Sequence, residues 1–261
     1  MSAEMSTPVV INVGETVDQI LEGKLKVIQK EKGCRFSIDA LLLSHFVNLK
    51  ASDHVLDLGT GGGIVPMILA KRWNCVRIAG LDIQPDLIDM ASRSAILNLV
   101  DGRVEFIRGD LRQIKTLFEA GSFDVATFNP PYRRMHSGRV NPNVEKAIAR
   151  HEIKATLDDF LQAAAHCLKM KGRVFVVYPA VHAVKLFSRM QARCLEPKRV
   201  VLVYSNPASE GQFVFVECLK GGKEGMKVLP PLFIYGQGGA YTQAMQRIFR
   251  DLAAFPSAVA G

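Results

Sequence analysis

The chain has 261 residues, 48% of them hydrophobic, with five cysteines and a formal charge of +8. That length supports one sizeable core. No run of 18 apolar residues occurs and residues 1–13 lack a basic start followed by an apolar stretch, so neither a spanning segment nor a leader is expected and a cytoplasmic protein is. Cys34, Cys75, Cys167, Cys194 and Cys218 are odd in number and scattered, and no two of the six histidines stand at a metal-binding spacing with a carboxylate, so neither a disulfide framework nor a metal is expected.

In chain order, residues 25–29 read as a strand and 36–49 as an amphipathic helix bearing Asp39. Apolar strands are then predicted near 54–58, 76–82, 104–108, 123–129, 173–178, 198–204 and 213–219. Helical patterns lie between them near 64–72, 85–98, 156–169 and 180–193. Pro85 suits a helix start and Gly172 a helix stop. Strands alternating with helices imply a parallel sheet. The last two strands are joined by Ser205-Asn206-Pro207-Ala208-Ser209-Glu210-Gly211 without a helix, so they should pair antiparallel. The expected architecture is an α/β domain over 51–261, a seven-stranded Rossmann-like sheet, mostly parallel with one antiparallel strand, preceded by an extension over 1–50.

Two segments carry chemistry. The strand Val55-Leu56-Asp57-Leu58 runs into Gly59-Thr60-Gly61-Gly62-Gly63 and then a helical pattern. Glycines there let a ligand approach the backbone, and the helix start offers free N–H groups. Ile64 stands where a dinucleotide fingerprint wants a small residue, so a pyrophosphate cofactor is disfavoured. Twenty-five residues after Asp57, the next strand closes on Asp82, a carboxylate suited to a ribose diol.

The second segment is Phe128-Asn129-Pro130-Pro131-Tyr132 at a later strand end. A conjugated amine is a poor nucleophile because its lone pair is delocalised, and two acceptors on its N–H bonds draw it toward tetrahedral geometry. The Asn129 side-chain oxygen and the Pro130 carbonyl can serve, the prolines removing competing donors, while Tyr132 can stack on a flat substrate.

With these segments the chain resembles class I S-adenosylmethionine-dependent methyltransferases bearing an Asn-Pro-Pro-Tyr motif. More narrowly, it resembles the bacterial family that N6-methylates an adenosine next to the anticodon of valine tRNA. The likeness extends to residues 33–43, to Ala149-Arg150-His151-Glu152, to residues 230–235 and to Gly239-Ala240-Tyr241-Thr242. It implies that Asp82 binds the ribose of S-adenosylmethionine, that Ile83 covers its adenine, and that Asp110 and Leu111 meet the adenine amine. Phe36 and Asp39 match the family's amino-terminal cofactor segment. Asp57, Gly59, Gly61 and Asn129 complete the cofactor side, with Asp57 propping the glycine loop. Asn129, Pro130 and Tyr132 would be catalytic, without a dedicated base.

The net charge fits a polyanionic partner. Arg133, Arg134, Arg139, Lys146 and Arg150 stand against Glu145 alone, a local excess of four beside the quartet, and Pro131, Tyr132, Arg133, Arg134 and Arg139 are expected to hold tRNA. A second basic stretch holds Lys24, Lys26, Lys30, Lys32 and Arg35. A monomer is expected. Two other readings stay open. One is glutamine N5-methylation of a protein such as a release factor, which would want a larger region before the glycine loop. The other is a noncatalytic RNA-binding module.

Overall fold

The computed structural model describes residues 8–32, 37–74, 76–131 and 155–251. An antiparallel hairpin, β1 (Glu15–Ile20) and β2 (Leu25–Lys30), precedes helix α1 (Ile38–Phe46). The strands of the main sheet are β3 (His54–Leu58), β4 (Arg77–Asp82), β5 (Val104–Arg108), β6 (Phe123–Phe128), β7 (Leu168–Pro179), β8 (Leu195–Tyr204) and β9 (Gly211–Lys220). Between them lie α2 (Ile64–Arg72), α3 (Pro85–Leu97), short helical turns over 111–117, α4 (Leu157–Cys167) and α5 (Ala183–Gln191). The last helix is α6 (Gln243–Asp251).

The expected strands form, and two more join them. β10 (Lys227–Val228) and β11 (Leu232–Phe233) both pair parallel with β8, so among the described residues the sheet has nine strands rather than seven. These pieces are two residues each, too short to leave a period in the sequence. The spatial order is β5-β4-β3-β6-β7-β9-β8. β9 lies antiparallel between β7 and β8, as the helix-free connection predicts. A further difference concerns Gly172. α4 ends at Cys167, and Gly172 lies inside β7, where an added Cβ would meet the Lys169 carbonyl at 2.8 Å. A tight local bend where the register of β7 against β6 shifts, not helix termination, requires it.

Strands in the middle of the sheet are buried on both faces, and successive residues feed two cores. Val55, Val125, Phe175, Val177 and Phe215 point to a cluster covered by α1, α2 and α6. Leu56, Ala126, Val174, Val176 and Val216 point to the other, covered by α4 and α5. The hairpin joins the first core: Leu25 and Val27 are buried in it, and Asn98 and Ser94 at the end of α3 bond the backbone of β2. Pro85 opens α3 as expected.

Helix α1 runs against the strands. Its end is held at their amino-terminal edge, where Arg173 and Arg199 donate to the Asn48 and Phe46 carbonyls at 2.6 and 3.0 Å. Its first turn, with Asp39, therefore rises to the carboxyl edge. His45, fully buried, donates from Nδ1 to the Leu41 carbonyl at 2.8 Å, and burial lowers its pKa to about 4. No helix among the described residues is long and apolar enough to cross a membrane.

Candidate active site

Chain order runs β3, β4, β5 to one side and then returns to place β6 on the other side of β3. Ligands in open α/β sheets sit beyond the carboxyl ends at such a switch point. Gly59, Asp82, Asp110 and Asn129 all stand at or just past those ends.

The glycine turn is built for close approach. Gly61 has φ +56, and a Cβ added there would meet nothing within 4 Å, so the turn is open on its outer side. Gly63, the residue before α2, has φ +77, and a Cβ there would lie 2.4 Å from the Phe106 ring. One glycine thus leaves room for a ligand and the other lets helix and sheet close together. Gly59 rests over Phe160, whose ring lies 5.4 Å from that of Phe128.

Asp82 fixes this turn to β4. Its Oδ2 accepts from the Gly61 N–H at 2.9 Å, and its Oδ1 accepts from the Gln84 backbone N–H at 3.0 Å and side chain at 3.3 Å. A carboxylate offers about four lone-pair sites, so a second acceptor position on Oδ2 remains. Ile83, beside it, is 43% exposed at the sheet edge. Ordinarily an isoleucine at a strand end would be covered.

Asp57 is buried between the glycine loop and β6. The Thr127 hydroxyl donates to its Oδ1 at 2.5 Å, tying β3 to the strand that ends in Asn129. Burial raises the Asp57 pKa to about 7; the Thr127 bond opposes that shift and the nearby Asp82 charge adds to it. Asp57 therefore supports the loop from within.

Asp110 caps the helical turn, accepting from the Arg112 N–H at 2.9 Å, and pairs with the Arg112 guanidinium at 2.5 Å. The Arg112 bonds hold its carboxyl below the usual range. Leu111 is buried next to it. Asp39 is buried at the start of α1, accepting from the Ser37 hydroxyl and the Ala40 N–H.

Asn129 directly follows β6, and among the described residues its buried Oδ1 has no hydrogen-bond partner. Buried carboxamide oxygens are normally satisfied. This one is an acceptor kept free at the switch point. Pro130 is buried and Pro131 exposed. Phe36, Tyr132, Arg133, Arg134 and Arg139 lie outside the described residues. Three supporting residues have no motif in the sequence: Gln84, Thr127 and Phe106. Thr127 could have been found from its position, two residues before Asn129 on a buried strand.

A family model described as a methyltransferase domain matches residues 49–238. A tRNA1(Val) (adenine(37)-N6)-methyltransferase of Porphyromonas gingivalis is 28% identical over 57% of this chain, a match that spans 61% of that relative's length. A protein of the same name from Haemophilus influenzae is 24% identical over 83% of the chain and 90% of its own length. Among solved structures, a predicted O-methyltransferase from Agrobacterium tumefaciens shares the fold with a TM-score of 0.68 at 18% identity, covering 83% of this chain and 98% of the other.

Proposed function

Because the chain belongs to the methyltransferase-domain family, we propose that it methylates the N6 amine of an adenosine in tRNA, beside the anticodon of valine tRNA, with S-adenosylmethionine as donor. The observation that carries the reading is the buried, unpartnered Oδ1 of Asn129 at the switch point. An amine with two N–H bonds is the group that such an acceptor, together with the Pro130 carbonyl, would take. The names of the relatives support adenosine in tRNA as the carrier of that amine.

The residues present fit the donor. S-adenosylmethionine supplies an electrophilic methyl group on a positively charged sulfur. Asp82 would accept from a ribose hydroxyl with its remaining lone pair, and Ile83 would cover one adenine face. The open turn at Gly61 admits the close approach. Asp110 and Leu111 would meet the adenine amine, and Phe36 and Asp39 would belong to the cofactor side, as the family's amino-terminal segment implies. Asp57 stays internal, holding the turn against β6.

For the acceptor, Asn129 and Pro130 orient the lone pair of the amine toward the methyl group while Tyr132 stacks on the base. Alignment and electrostatics supply the rate enhancement. The amine becomes acidic only once it carries positive charge, so its proton leaves without a dedicated base. Pro131, Arg133, Arg134 and Arg139 hold the RNA around the flipped base. A cytoplasmic location fits a tRNA substrate.

The test is direct. Purified protein and labelled S-adenosylmethionine are incubated with total tRNA in one tube and a release factor in another, and the RNA is digested to nucleosides. Label in N6-methyladenosine is expected. Label only in the protein would replace this reading with glutamine methylation.

A further inference from the structure

The segment after β9 is basic on balance: residues 221–251 contain Lys223, Lys227, Arg247 and Arg250 against Glu224 and Asp251. It runs up the outer edge of the sheet through β10 and β11, then turns back through α6, which buries Met245 and Ile248 in the first core. The opposite stripe of α6 is exposed and consists of Gln243, Gln246, Arg247 and Arg250. These lie at the i, i+3, i+4, i+7 spacing of one helix face. None is apolar, so the stripe is poorly suited to docking a hydrophobic protein surface.

At the head of that stripe stands an aromatic group. Tyr235 and Tyr241 stack with ring centroids 5.2 Å apart and planes 19° from parallel, and Phe249 meets Tyr241 edge-on at 4.9 Å. Tyr241 is still 42% exposed. The loop between the tyrosines is closed by the Gly236 N–H donating to the Ala240 carbonyl at 2.8 Å. Its exposed crest carries Gly238 and Gly239 at φ +79 and +78, and a Cβ added at either would meet nothing within 4 Å. The Gly239 N–H donates to the Gly236 carbonyl at 3.4 Å, so the crest offers close backbone approach rather than a set of free amides.

Topology puts this group on the same side of the sheet as Asn129. Leu232–Phe233 pair parallel with Val203–Tyr204, the last residues of β8. β8 is parallel to β7 and β6, since the antiparallel β9 lies between β8 and β7. From β6 to β11 is four strand steps, or roughly 19 Å at about 4.8 Å per step. A few nucleotides of single-stranded RNA span that distance.

We propose that this segment is a second docking face for the RNA substrate, in which Tyr241, the Gly238–Gly239 turn and Arg247 hold single-stranded nucleotides flanking the one that enters the Asn129 site. The proposal rests on the tRNA reading above. A partly exposed ring, a turn open to close approach and a guanidinium provide stacking and phosphate contacts, the two forces that hold unpaired RNA.

The test uses the full chain, unfractionated tRNA as probe, and binding measured across a salt series. Arg247→Glu should weaken tRNA binding about tenfold and flatten the log–log salt slope by about one unit. Gln246→Arg, on the same stripe, should tighten binding severalfold and steepen the slope by about one unit, a gain that misfolding cannot mimic. Tyr241→Leu keeps an apolar side chain against Phe249 and should lose about fivefold or more through stacking. S-adenosylmethionine affinity should be unchanged in all three. Wild-type affinity and slope in both charge variants would overturn the docking face while leaving the methylation reading intact. A wild-type protein that neither binds nor methylates tRNA would overturn both.

Discussion

Replacing Asn129 with alanine separates a catalytic role from a structural one, because the side-chain oxygen is buried yet makes no hydrogen bond among the described residues. Leaving a buried acceptor unpaired costs about 1–3 kcal/mol, so deleting it removes a penalty along with some packing. Stability should then stay within about 1 kcal/mol of wild type, a melting shift of no more than roughly 2–4 °C for a domain of this size. The chemical step behaves differently. Losing one preorganised polar group at the reacting atoms costs about 10²–10³ in rate. Thr127→Val provides the contrast: its hydroxyl donates to buried Asp57 at 2.5 Å, and removing it should destabilise by about 1–3 kcal/mol with a smaller loss of single-turnover rate. Thermal melts and single-turnover methylation at saturating donor would be measured for both variants. If Asn129→Ala melted well below wild type and kept near-normal chemistry once folded, the oxygen would be a structural acceptor and the mechanism would fail.

Three other outcomes are expected. Asp82→Ala should weaken S-adenosylmethionine binding about 10–100-fold by calorimetry, since bonds to a charged group contribute about 1.5–3 kcal/mol; unchanged affinity in a folded variant removes Asp82 from the site. Two buried groups should give opposing pH dependences. Asp57 titrates near pH 7 when folded against an ordinary 3.8, so its contribution is fully present below about pH 4 and lost as pH rises to about 7, on the order of 4 kcal/mol. His45 titrates near 4 against an ordinary 6.5, so its contribution is present above about 6.5 and lost as pH falls toward 4, on the order of 3 kcal/mol. Wild-type stability should therefore be nearly level across this window, whereas Asp57→Asn should lose stability on acidification; urea titrations at both ends of the window would detect it, and a level Asp57→Asn profile would count against the opposing pair. Finally, replacing Arg133, Arg134 and Arg139 with alanine should weaken tRNA binding and flatten its salt slope by up to one unit per lost phosphate contact, with donor affinity spared; an unchanged slope would move the RNA path elsewhere.

The parts legible in the sequence are those whose chemistry is local. The glycine turn, Asp82 at one strand end and Asn129 at another each announce themselves within a few residues. Strands buried on both faces read as apolar runs because they have no polar side. What the sequence left hidden depends on partners far along the chain. β10 and β11 exist only because β8 offers them an edge. β1 alternates weakly, and it is drawn into a strand by pairing with β2, with Glu15 held by Arg93 at 2.6 Å. α6 follows Thr242 and spaces Met245, Ile248 and Phe249 as a helix should, a signal too short to stand out without its core beneath it. Asp110 illustrates a different limit. A sequence shows a carboxylate at the right place and cannot show that Arg112 already engages both of its oxygens.

The placement of β9 between β7 and β8 has a consequence for synthesis. As the chain emerges from its amino end, β7 and β8 appear first and cannot pair with each other, because the slot between them belongs to a strand not yet made. Both carry unpaired, largely apolar edges during that interval, the kind of surface that seeds association between nascent chains. Arrival of residues 211–220 closes both edges in one step, and β10 and β11 then cover the outer side of β8. Half of the sheet is thus committed late and all at once, while β3 to β6 can assemble early around the glycine turn. The ligand-binding half can thus take shape before the wall beside it is complete.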